Sequence, residues 1–126
     1  MVLALVGRQT HSAPELDVSA VAQSVDLRFS DLPDGTVVAS NAATGSEIER
    51  IAPGAGGFIR VTMRSFAGDR MKRDMTDEVP FQLARMNDGD LLLRDPLTGR
   101  SMLLNAFGPS NERAFAQLIE KGETRQ

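Results

Sequence analysis

From Val25 onward, apolar and polar positions alternate with a period of two, and Asp-Gly and Thr-Gly pairs interrupt the alternation at regular intervals. Val25, Leu27 and Phe29 alternate with Asp26, Arg28 and Ser30, the pattern of a strand with one buried face. Pro33-Asp34-Gly35 then predicts a tight turn, Thr36 to Ser40 a returning strand, Asn41 to Gly45 a second turn and Ser46 to Ile51 a third strand. The same order recurs 54 residues further on. Phe81 and Leu83 lead to Asn87-Asp88-Gly89, Leu91 to Arg94 returns, and Asp95-Pro96-Leu97-Thr98-Gly99 turns the chain into Ser101 to Leu104. Six identities mark the repeat: Asp34 with Asp88, Gly35 with Gly89, Thr44 with Thr98, Gly45 with Gly99, Ala52 with Ala106 and Gly54 with Gly108. Asp34, Gly35, Gly45, Gly54, Gly89, Gly99 and Gly108 are therefore read as turn residues that keep the fold. The continuous run Leu91-Leu92-Leu93 predicts a strand covered on both faces, the candidate for the centre of the sheet.

Each group of three strands ends at a glycine and opens a helix. Phe58, Ile59, Thr62, Met63 and Phe66 share one face of a helix running to Lys72, in which Gly68 predicts a break or bend between Ala67 and Asp69. Pro109 suits the first turn of a second helix, Phe115, Leu118 and Ile119 form its buried stripe, and Gly122 predicts its stop. The expected fold is α+β: an antiparallel sheet built from two βββα repeats, about 25–72 and 80–122, with the helices packed on one face. Alternation leaves open whether the strands make one six-stranded sheet or two three-stranded ones.

Outside this domain, 25–122, residues 123–126 read as a flexible tail, and Gln9 to Ser24, small, polar and interrupted by Pro14, as a linker with one turn of helix around Ser19 to Gln23. Val2, Leu3, Leu5 and Val6 lie in an apolar run far shorter than the roughly 20 residues of a membrane-spanning helix, and no basic segment precedes it as in a secretory signal. The run reads either as a frayed terminus or as the exit end of an anchor, so residues 1–24 are taken as anchor remnant plus linker.

At 126 residues the chain has room for one domain. A net charge of −3 has the wrong sign for a general nucleic-acid binder, and the absence of Cys excludes disulfides and thiolate metal sites. The single histidine, His11, falls in the linker. Glu47 with Glu49 and Asp88 with Asp90 have the spacing of solvated strand or turn positions, and neither Asp74, Asp77 and Glu78 nor Asp88, Asp90 and Asp95 has the glycine placement of a calcium loop. Gly54-Ala55-Gly56-Gly57 precedes a helix but lacks the Lys-Ser/Thr pair of a phosphate cradle. No catalytic residue, metal or cofactor is expected. The candidate chemistry is a charge patch: Arg60, Arg64, Arg70, Lys72 and Arg73 put five of the 14 basic residues in one stretch with only Asp69 as an acid. Such a patch suits an acidic partner or anionic headgroups.

The turns and their surroundings also resemble a known family. Asp26-Leu27-Arg28-Phe29-Ser30-Asp31, Asp34-Gly35, Thr44-Gly45, Pro53-Gly54 and Gly57-Phe58-Ile59-Arg60, then Pro80-Phe81-Gln82-Leu83, Asp95-Pro96-Leu97-Thr98-Gly99-Arg100 and Asn105-Ala106-Phe107-Gly108-Pro109, are similar to the photosynthetic complex assembly proteins of purple phototrophic bacteria, of the PuhC type. The resemblance spans about Val25 to Ile119. It implies a non-enzymatic assembly or accessory factor with one transmembrane helix in the inner (intracytoplasmic) membrane and a soluble domain on the periplasmic side. Its implied partners are the reaction centre and the core light-harvesting 1 subunits. Arg60 and Arg64 are the matched residues expected to make contacts. Two other classes stay open. One is a carrier of bacteriochlorophyll or quinone, with a pocket lined by Phe58, Met63, Phe66 and Phe115; the other is an interaction domain with an unrelated partner.

Overall fold

The computed structural model describes residues 16–124. Strands β1 (Val21–Asp31), β2 (Val37–Asn41) and β3 (Glu47–Ile51) precede helix α1 (Gly57–Lys72); β4 (Phe81–Met86), β5 (Leu91–Arg94) and β6 (Ser101–Leu103) precede helix α2 (Pro109–Thr124). Short 3-10 turns lie at Val18–Ala20 and Leu104–Phe107. The fold is α+β: the six strands form one antiparallel sheet in the order β3-β2-β1-β4-β5-β6. The β1/β4 pair joins the two halves, with Val25 opposite Leu83 and Leu27 opposite Phe81.

Alternation dictates which face is buried. Val25 and Leu27 of β1, Ala39 of β2, Phe81 and Leu83 of β4, and Leu91 and Leu93 of β5 point to one side. There they join Ile59, Met63 and Phe66 of α1 and Phe115, Leu118 and Ile119 of α2 in a single core. Asp26, Arg28, Gln82 and Arg94 fall on the opposite side, where Arg94 Nη1 donates to Gln82 Oε1 at 3.0 Å.

Corresponding turns are built alike. Asp34 Oδ1 accepts from the Thr36 N–H at 2.9 Å, and Asp88 Oδ1 from the Asp90 N–H at 2.9 Å. Hydrogen bonds from Thr36, through backbone and hydroxyl, hold the Asp34 carboxyl below the usual carboxylate range. Asn41 and Asp95 each accept, through Oδ1, from the N–H two residues on (Ala43 and Leu97, both 2.8 Å). The six glycines singled out in these turns all have positive φ, between +81° and +98°. A Cβ would strain the backbone there.

The structure departs from the sequence expectations in four places. β1 begins at Val21 rather than Val25, because Val21 and Gln23 pair with Met86 and Arg85 of β4; the helical turn expected around Ser19 to Gln23 is a 3-10 turn at Val18–Ala20, and the linker gives way to strand at Val21. α1 runs through Gly68 without a break, since the position faces open space and the turns on either side are tied down by Phe66 and Arg70. α2 continues past Gly122 to Thr124. Gly122 is a close-approach residue: an added Cβ would lie 3.0 Å from Val25 Cγ2 and 3.2 Å from Ile48 Cδ1. Finally, β1 and β4 form the centre of the sheet, while β5 sits one strand in from the edge and its Leu92, opposite Leu103, is only half-buried.

Candidate functional site

The five cations proposed for the surface divide into two sets. Arg60 clamps the start of α1: its Nε donates to Ala55 O at 2.5 Å, and its Nη2 to the carbonyls of Ala52 (2.7 Å), Ile51 (3.2 Å) and Gly35 (3.2 Å). Gly35, Ala52 and Ala55 lie in loops and Ile51 ends β3, so the guanidinium fork gathers four carbonyls where the strand runs into the helix. Arg70 is 3% exposed and reaches Asp95, 0% exposed, through two parallel bonds: Nε to Oδ2 at 2.9 Å and Nη2 to Oδ1 at 2.8 Å. Its guanidinium also lies 4.0 Å over the Phe81 ring. Burial on its own would raise the Asp95 carboxyl, but the hydrogen bonds from Arg70 and the Leu97 N–H, with the Arg70 charge, hold it below its ordinary value.

Arg60 and Arg70 are thus anchors of α1, and Arg70 is withdrawn from any contact surface in this arrangement. Arg64, Lys72 and, just beyond the helix, Arg73 are exposed. They share that side with Val61, 63% exposed, and Met71, 76% exposed. Asp69, the one acid of the stretch, is engaged by Arg100, whose Nη1 also meets Ser65 Oγ and whose guanidinium lies 4.2 Å over the Phe66 ring.

The motifs that carry the resemblance converge on this helix. Gly57-Phe58-Ile59-Arg60 supplies the carbonyl clamp, and Asp95 and Arg100 of the Asp-Pro-x-Thr-Gly-Arg run hold Arg70 and Asp69. Phe107 of Ala-Phe-Gly-Pro meets the Phe58 ring at 5.7 Å.

Between α1, β1 and the 73–80 connector lies a cleft of about 540 Å³. Leu27, Phe29, Val37, Ile59, Met63 and Phe81 line its floor, and the exposed Arg28, Asp31, Arg64, Asp77 and Glu78 its rim. Arg28 Nη1 holds the connector by donating to Glu78 O at 2.6 Å. This is not the pocket expected from the sequence. Phe66 and Phe115 are fully buried, and Phe58 packs edge-on against Phe115 at 5.7 Å, so these rings fill the core; only Met63 of that set faces the cleft. A signal was present in the spacing of Met63, Ala67 and Met71, which places three cleft residues along one line of α1.

Val2, Leu3, Leu5, Val6 and His11 lie outside the described residues. Among the described residues no helix is long and apolar enough to cross a membrane, and no group of three His, Cys, Asp or Glu side chains is placed to hold a metal ion.

The described residues thus form a small α+β domain whose first helix is pinned by internal arginine contacts beside an apolar, charge-rimmed cleft. The chain belongs to the photosynthetic complex reorganisation protein PuhC family, whose model matches residues 22–123. It is also 34% identical over 65 residues to an uncharacterised 17.4 kDa protein encoded in the puhA 5′ region of Rhodobacter capsulatus. That match covers 52% of this chain and 40% of the relative, so it reaches less than half of the relative's length. No solved structure matches the chain.

Proposed function

We propose that the chain is a non-enzymatic accessory domain in the assembly or reorganisation of photosynthetic complexes. It acts by protein-protein contact with the reaction centre and the core light-harvesting 1 subunits, at the periplasmic surface of the inner membrane. The observation that carries this reading is the family match over nearly the whole described domain. The surface supports it: after the internal contacts of Arg60 and Arg70, the outer side of α1 still presents Arg64 and Lys72 beside the exposed Val61 and Met71. Apolar side chains bordered by cations are the composition of a docking face. In this reading the chain consists of two copies of one βββα unit, supported by the matched turns at Asp34 and Asp88 and at Asn41 and Asp95.

The test is complementation of a phototrophic host that lacks its own copy of the gene, using the native upstream sequence and the charge reversal Arg64→Glu with Lys72→Glu. Both positions are exposed, so the variant should melt within a few degrees of the parent. The near-infrared absorption of assembled core complex is expected to fall several-fold. Full absorption with the double reversal would remove this face of α1 from the contact.

A further inference from the structure

The cleft lies beside a helix that is tied down at two points. Arg60 ties one end of α1 to the carbonyls of Gly35, Ile51, Ala52 and Ala55, and Arg70, ten residues on, ties the other to Asp95, just after β5. Along this helix Ile59, Met63 and Phe66 pack into the core, and beside them a space of about 540 Å³ remains along Phe29, Val37, Ala67 and Met75. That volume is in the range of small-molecule sites, roughly 300–1,000 Å³. The floor is aliphatic, aromatic and thioether, and methionine adapts to flexible apolar ligands. The lining carries both signs, with Arg28, Arg60 and Arg64 on one hand and Asp31, Asp77 and Glu78 on the other.

We propose that this cleft binds one acyl chain of a zwitterionic phospholipid, with the headgroup at the rim. An apolar floor under a rim of guanidinium and carboxylate groups complements a molecule that joins a hydrocarbon chain to a phosphate and an ammonium. With guanidinium and carboxylate groups both lining the cleft, a net anion leaves the carboxylates unmatched, and a headgroup without charge leaves both signs unmatched. The proposal goes beyond the docking reading but shares Arg64 and Met71 with it, so the lipid test uses Ala67, Asp77 and Glu78, which the docking reading does not use.

The experiment is isothermal titration of the full chain with dihexanoyl-phosphatidylethanolamine below its micelle concentration, in parallel with dihexanoyl-phosphatidylglycerol and octyl glucoside. The ethanolamine lipid is expected to bind at least fivefold more tightly than either of the others. Ala67→Trp, which fills the cleft from an exposed helix position, should weaken it at least tenfold, whereas Val61→Trp, outside the cleft, should leave it unchanged. Asp77→Lys with Glu78→Lys should erase the preference over phosphatidylglycerol while chain binding persists. Equal binding of the ethanolamine and glycerol lipids, or unchanged binding to Ala67→Trp, would overturn the proposal. So would displacement of the ethanolamine lipid by a lower concentration of a soluble quinone, which would give the cleft to the carrier class.

Discussion

Asp95→Ala is expected to destabilise the domain by about 3–5 kcal/mol, the cost of removing one partner from a buried ion pair. Asp95 is fully buried, accepts both parallel bonds of Arg70 and also accepts from the Leu97 N–H at 2.8 Å. Alanine leaves the Arg70 guanidinium inside the protein with only the Phe81 ring beneath it. Single domains unfold with about 5–15 kcal/mol, so the variant should be largely unfolded by modest urea, with a strongly lowered midpoint by circular dichroism. The pH dependence carries the same signature. Because the folded-state pKa of Asp95 is lowered, its contribution is present above the unfolded value near 3.9 and is lost as pH falls through the lower folded value. The parent should therefore lose stability steeply below about pH 4, and Asp95→Asn should show a shallower acid limb. A loss under 1 kcal/mol for Asp95→Ala would contradict the buried pair.

The second large effect is expected at Phe66. It is 0% exposed, packs edge-on against Phe81 with centroids 6.1 Å apart, and carries the Arg100 guanidinium over its ring. Phe66→Ala removes the ring between α1 and the sheet, and burial lost together with the cavity left behind costs about 3–5 kcal/mol. Phe66→Leu refills most of the space and should cost clearly less. Phe81 also lies under Arg70, so the Phe66 and Asp95 sites share a neighbour. Combined in one chain, milder variants at the two sites should deviate from additivity by more than about 0.5 kcal/mol. Strict additivity would mean that the helix is not held through Phe81.

Elements with a local cause were legible in the sequence. The turns at Asp34-Gly35 and Asp88-Gly89 need a carboxylate acceptor and a residue free to take positive φ, and both requirements are written in adjacent letters. The strands and the core stripes of both helices followed from periodicity. What escaped has causes distant in sequence. Val21 becomes strand because Met86 pairs with it, and Gly122 sits inside a helix where Val25 and Ile48 approach closely, a packing reason rather than a stop. Arg70 read as surface charge until Asp95, 25 residues away, was brought beside it. Of the candidate contact residues, Arg64, Lys72 and Arg73 keep an exposed position, while the cleft-lining Phe29, Val37 and Met75 gave no local sign of a shared space.

The most direct measurement of the central claim is affinity isolation of the tagged chain, expressed with its native upstream sequence, from gently solubilised photosynthetic membranes. The eluate is then examined by absorption spectroscopy and subunit identification. Near-infrared antenna bands together with reaction-centre and light-harvesting 1 subunits are the expected result. A colourless eluate holding the chain alone would contradict it.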